Sequence, residues 1–79
     1  MKLTYDPRHN IAYLRFHEKT AQVETIRVGD ELNVDLAPDG TVYGIELLNA
    51  NALLAEDQGS LLVVNEESGQ SAQVPLSAP

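Results

Sequence analysis

Asn33-Val34-Asp35-Leu36-Ala37-Pro38-Asp39-Gly40-Thr41-Val42-Tyr43-Gly44-Ile45-Glu46-Leu47-Leu48 alternates apolar and polar residues up to Pro38-Asp39-Gly40 and resumes the alternation beyond it. Proline presets the first turn position and Asp-Gly supplies the left-handed residue that closes a tight reversal, so the stretch reads as a β-hairpin. A period of two sends residues of opposite parity to opposite faces, which makes the class a small antiparallel sheet. Leu32, Val34 and Leu36 line one side of the first arm, with Asn33 and Asp35 on the other. In the return arm, residues 42–48, Tyr43, Ile45 and Leu47 share one parity. Gly44 marks a bend or a close approach by another group.

Towards the N-terminus, Leu3-Thr4-Tyr5 alternates until Asp6-Pro7 stops it, and Arg8-His9-Asn10 makes a polar turn. Ile11-Ala12-Tyr13-Leu14-Arg15-Phe16 follows as a strand that is fairly apolar on both parities, which predicts a central strand covered on both sides. His17-Glu18-Lys19-Thr20 is a further turn. Residues 22–28 form the next strand, whose apolar positions change parity between Val23 and Ile26. A β-bulge near Glu24-Thr25 accounts for that change. Gly29-Asp30 is a turn signal.

Towards the C-terminus the period changes. Residues 49–59 read as a short helix with Ala50, Leu53 and Leu54 on one stripe, Asn49 or Asn51 as N-cap and Gly59 at C′. Leu61-Leu62-Val63-Val64 suits a strand, Glu66 to Ser71 a turn, and Ala72-Gln73-Val74-Pro75-Leu76 a short partner strand, with Ser77-Ala78-Pro79 frayed. The expectation is an α+β fold: about five antiparallel strands in meander order, one short helix, and room for a further C-terminal hairpin. It is a single domain over 1–79, with 2–58 as the sheet and helix core. Residues 59–79 are an extension suited to pairing across subunits, because its apolar edge is otherwise unpaired.

Seventy-nine residues bury only roughly 60 to 65% of the surface that the unfolded chain exposes, so the core is marginal. Small domains make up the deficit with disulfides, a metal or a partner subunit. There is no cysteine, and two histidines without a thiolate do not complete a structural zinc site. Self-association is what remains, and a homodimer or higher oligomer is expected. Met1-Lys2-Leu3-Thr4-Tyr5-Asp6 has no apolar core of a signal peptide, and the longest apolar run, Leu61 to Val64, is far short of a membrane span. A soluble cytoplasmic protein is the default expectation.

The formal net charge of −7 is unevenly spread. Lys2, Arg8, Arg15, Lys19 and Arg27 all fall in the first 27 residues, against Asp6, Glu18 and Glu24, a net of +2. From Val28 onward there are nine acids and no lysine or arginine, a net of −9. Nucleic acid is a poor partner for such a chain, because phosphates need a basic footprint. The acids keep a small protein soluble, or they face a basic partner or the basic half of another copy.

Leu3-Thr4-Tyr5-Asp6-Pro7, then Ile11 to Phe16, then Val34-Asp35 through Asp39-Gly40 to Gly44-Ile45-Glu46-Leu47-Leu48-Asn49-Ala50 together resemble a family of very small bacterial proteins catalogued as a domain of unknown function. The resemblance covers roughly residues 2 to 54, and Gly44 to Leu48 running into a small helix is its most specific element. It implies a compact sheet followed by a helix, and it carries no catalytic residues onto this chain. The chain departs from the family pattern at Arg8-His9-Asn10, where acidic and small residues are commoner, and in its tail after Ala55.

No constellation specifies chemistry. His9 and His17 flank one strand, roughly 26 Å apart if extended, and do not share a metal within one subunit. Asp35, Asp39 and Glu46 form the most carboxylate-rich stretch, yet their spacing is not that of a calcium loop, and Asp39-Gly40 is turn chemistry. So short a chain leaves little room to wall a cleft around paired carboxylates. Ser60, Ser68, Ser71 and Ser77 lie outside any Gly-x-Ser-x-Gly context. Lys2 and Lys19 read as solvated strand-end charges, and Gly29, Gly40 and Gly44 are too far apart for a phosphate cradle. Tyr5, Tyr13 and Tyr43 suit cross-strand packing, although Tyr13 with Arg15 would also suit base stacking. Glu46, in an otherwise apolar strand, calls for a basic cross-strand neighbour, Arg15 or Arg27.

The expected function is a non-enzymatic protein–protein interaction module acting as an oligomer, antitoxin-like or regulatory, with itself and a basic protein as partners. No catalytic residue, cofactor or metal is expected, and no nucleic acid or membrane. The alternative is a ligand-binding protein or enzyme whose site forms between subunits, using His9 or His17. A nucleic-acid binder using the Tyr13/Arg15 face ranks third.

Overall fold

The computed structural model describes residues 1–18 and 22–76. Five strands form one antiparallel sheet: β1 (Lys2–Asp6), β2 (Ile11–Arg15), β3 (Glu24–Arg27), β4 (Leu32–Leu36) and β5 (Val42–Leu47). A helix α1 (Ala50–Leu54), a 3-10 turn (Glu56–Gly59) and a hairpin of β6 (Ser60–Val64) and β7 (Ser71–Pro75) follow. The α+β class, the five-strand antiparallel sheet, the short helix and the C-terminal hairpin are those read from the sequence. In space the order is β1-β2-β5-β4-β3: hairpin β1–β2 and the meander β3–β4–β5 join where β5 pairs with β2. The turn expected at His17 to Thr20 falls partly outside the described residues, and Lys19 and the tail Ser77-Ala78-Pro79 fall wholly outside them.

Turn chemistry fixes the β4–β5 register. Gly40 takes φ +90, its N–H donates to the Ala37 carbonyl (2.9 Å), and Ala37 N–H donates to Thr41 (2.9 Å). Asp39 Oδ1 accepts from Thr41 N–H (2.9 Å), and that hydroxyl-bearing residue holds the Asp39 carboxyl below the usual carboxylate range. The expected bulge at Glu24-Thr25 is absent, since Glu24 to Arg27 pair without a break against Leu36 to Asn33. Val23 simply precedes the strand, so its parity is free. The irregularity lies opposite, on β5, where Asp35 faces Gly44 but Leu36 faces Val42, leaving Tyr43 as the extra residue. Its carbonyl accepts from Phe16 N–H (2.9 Å) and His17 N–H (3.4 Å), so the distortion is tied back to the end of β2.

Cross-strand partners share a face, so the register divides the sheet cleanly. One face carries the row Leu3–Leu14–Ile45–Val34–Ile26 and, beside it, Tyr5–Ala12–Leu47–Leu32. The other carries Lys2–Arg15–Gly44–Asp35–Thr25 and Thr4–Tyr13–Glu46–Asn33–Arg27. The apolar face is only half covered. Among the described residues the buried apolar side chains are Ala12 (1% exposed) and Ala50 (0%), and no large side chain is fully buried. Strand β2 is interior to the sheet, yet Ala12 is its one buried residue, against the expectation of cover on both sides.

Helix α1 is shorter than the sequence stripe predicts, and neither expected asparagine caps it with its own side chain. Asn10 caps it from the β1–β2 turn: its carbonyl accepts Ala50 N–H (3.3 Å) and its Oδ1 accepts Asn51 N–H (2.7 Å). Asn51 returns the link, donating to the Pro7 carbonyl (3.0 Å) and accepting from Tyr5 Oη (2.7 Å). Asn49 instead donates to Glu31 Oε1 (3.2 Å). Among the described residues no helix is long and apolar enough to cross a membrane.

Candidate functional site

The polar face converges on one point where three strands meet. β5 runs between β2 and β4, and Gly44 pairs with Arg15 on one side and Asp35 on the other, with the ring of Tyr13 reaching over it from the neighbouring row. A Cβ built on Gly44 would lie 2.7 Å from Tyr13 Cε1 and collide with the phenol hydroxyl, so only glycine leaves room for the ring to lie across β5. The ring uses that room: Tyr13 Oη donates to Asp35 Oδ2 (2.7 Å), and Thr25 Oγ1, from β3, donates to Asp35 Oδ1 (2.6 Å). Asp35 is 7% exposed, and a carboxylate so buried needs short donors on both oxygens. Burial, and then the bond to Asp35, push the Tyr13 phenol up to about 12, so at neutral pH it is a donor and not a base. In the neighbouring row Asn33 Nδ2 donates to Glu46 Oε1 (3.0 Å). Tyr13, Thr25, Asp35 and Glu46 line a shallow open depression of about 380 Å³.

Glu46 therefore takes an amide partner rather than the arginine the sequence suggested. Arg15 turns to Glu18 (3.7 Å) and Arg27 to Asp30 (3.2 Å), both solvent-exposed pairs of small energetic weight. A buried-edge carboxylate is better served by a cross-strand amide than by a long side chain that reaches water at low cost. Of the three carboxylates singled out in the sequence, Asp35 and Glu46 share the depression, whereas Asp39 stays in its turn. His9 and His17 lie at opposite ends of β2. His9 Nδ1 donates to Asp6 Oδ2 (2.6 Å), which also accepts through Oδ1 from the Arg8 and His9 N–H groups (3.1 and 3.2 Å). The His9 ring is the first cause holding the Asp6 carboxyl below its usual range. His17 packs edge-on against Tyr43 with ring centroids 5.8 Å apart. Among the described residues no group of three or more His, Asp or Glu side chains is placed to hold a metal ion.

The sequence reading missed Asn10 as a helix cap and the Tyr13–Gly44–Asp35 crossing as a unit. Gly44 carried the one available signal, a glycine inside an apolar strand. Nothing local to Asn10 pointed to a helix forty residues on.

One apolar face, one polar face whose central groups bond to each other, and a helix capped from the first turn define a class of small α+β sheet proteins. The chain belongs to the family described as a protein of unknown function (DUF2283), whose model matches residues 2–51. That span takes in β1 to β5 and the start of α1, and hairpin β6–β7 lies beyond it. No curated protein and no solved structure matches the chain.

Proposed function

We propose that this protein is a non-enzymatic interaction module that works as an oligomer. The observation that carries the reading is the apolar sheet face, on which Leu3, Leu14, Val34 and Ile45 are half-buried and Ile26 is exposed. A marginal single-chain core gains most from covering such a face against another surface. On the polar face the most buried carboxylate, Asp35, is engaged by two hydroxyls of its own chain, so that face offers partners a finished surface.

The charge split adds a preference. With nine acids and no lysine or arginine from Val28 onward, a basic protein segment is the favoured second partner, as in a regulatory or antitoxin-like pairing. Sedimentation velocity across a dilution series tests the reading, together with thermal melts at each concentration. The expected result is a homo-oligomer whose melting temperature rises with protein concentration. A cooperatively melting monomer with a concentration-independent midpoint would overturn it.

A further inference from the structure

We infer that hairpin β6–β7 is a clasp that covers the apolar sheet face of a second copy of this chain, reciprocally, about a two-fold axis. The inference rests on the self-association proposed above and names the surface that performs it.

The hairpin is a sheet of two strands, an arrangement that is marginal in water without a partner surface. Its register puts Leu61, Val63, Ala72 and Val74 on one side, all apolar and free of charge. Val63 is 54% exposed and Val74 46%, and Ala72 is exposed as well. Within its own chain, apart from the pairing of its two strands, the hairpin leans mainly on the 3-10 turn. The molecule thus carries two incompletely covered apolar surfaces, one on the sheet and one on the hairpin. Each strand of the hairpin spans about 17 Å, close to the length of the sheet strands it would cover.

The surface area agrees. The chain exposes 5923 Å², about 1,200 Å² more than a compact monomer of its mass. Its radius of gyration is 14.1 Å, against about 12 Å for a compact chain of this length. A stable dimer removes about 800 Å² from each partner, so the excess is of the size one interface consumes. The two surfaces are also nearly free of charge. The apolar hairpin side carries none, Glu24 is the single charge among the paired residues of the apolar sheet face, and the acids Glu66 and Glu67 sit at the hairpin tip. Apart from Glu24, the charges of each copy would therefore stay outside the contact.

The connection is short and strained. Asp57, Gln58 and Gly59 follow one another at φ 51, 63 and 74, three left-handed residues in a row between helix and hairpin. Short strained hinges of this kind favour exchange of an element between identical protomers.

The chain has no cysteine, so single-cysteine variants report contacts directly. V63C on the apolar side of the hairpin is mixed with V34C in the middle of the sheet face, each on a separate full-length chain, and oxidised. L62C, on the opposite side of the hairpin, is the control, and I26C replaces V34C if that variant does not fold by circular dichroism. The expected result is a mixed V63C–V34C disulfide in roughly ten-fold excess over L62C–V34C, since a bond forms only where Cα atoms approach within about 7 Å. If the chain is an oligomer but the mixed disulfide shows no excess, the clasp is overturned and self-association stands. If the chain is a monomer at every concentration, both fail.

Discussion

Tyr13 and Asp35 bond to each other across a strand that lies between them, at 2.7 Å over the bare backbone of Gly44. The contact links β2 to β4, which are not neighbours in the sheet. G44A should therefore do more than add a methyl group. The new Cβ meets the phenol, the ring must swing out, and Asp35 loses a donor. A cost of about 2–4 kcal/mol is expected from overpacking and the broken bond together. Urea unfolding measures it. In a Y13A background the clash is gone, and G44A should then cost less than about 1 kcal/mol, a large coupling in the double-mutant cycle.

The same bond sets an alkaline limit. Burial and the bond to Asp35 push the folded Tyr13 phenol up to about 12, against about 10 for a tyrosine in the open chain. The stabilisation of its neutral form is complete below about pH 10 and is lost as pH rises towards 12, because the unfolded chain gives up the proton first. Y13F removes the donor and should lower stability at pH 7 by about 1.5–3 kcal/mol. It should also flatten the decline between pH 10 and 12, which chemical denaturation at a series of pH values will show. An unchanged alkaline slope in Y13F would place the titrating group elsewhere.

Much of this architecture is legible in the sequence, and for a physical reason. Period-two alternation and Pro38-Asp39-Gly40 act over a few residues, and local rules suffice to place β4, β5 and their turn. Gly44 was legible as a close approach because a glycine within an apolar strand has few other uses. The partner of Glu46 was not, since electrostatics allowed any base and the register chose Asn33. The bulge was misplaced because a parity change marks that something shifts, not which strand absorbs it. At Val23 the chain had simply not yet entered β3, while Tyr43 took up the irregularity across the sheet. The helix cap was illegible because it is tertiary.

Asn10 offers a way to separate capping from backbone conformation. It sits at φ 61, left-handed, and its side chain accepts Asn51 N–H while its carbonyl accepts Ala50 N–H. N10A loses the side-chain cap and also strains the backbone, for an expected total of about 1.5–3 kcal/mol. N10G keeps the backbone comfortable and loses only the side-chain acceptor, so it should cost about 1 kcal/mol less than N10A. Equal costs for the two would mean that φ at this position contributes nothing. Hydrogen exchange at the Asn51 amide should accelerate in both, because that N–H loses its acceptor either way.

The hinge at Asp57 and Gln58 should respond in the opposite sense. Both hold left-handed φ without being glycine, and Gln58, at φ 63, lacks the short side chain that eases an aspartate there. Q58G removes the Cβ clash and adds backbone entropy to the unfolded chain. The first effect is the larger at this φ, so a net gain of about 0.5–1 kcal/mol is expected. D57G should gain less, because aspartate tolerates the conformation better; the Asp57 carbonyl, which accepts from Ser60 Oγ at 2.6 Å, is retained in either variant. Thermal melting at one fixed concentration measures the ranking. A loss of stability in Q58G larger than in D57G would show that the side chain of Gln58, not its backbone, is what the fold requires at the turn into β6.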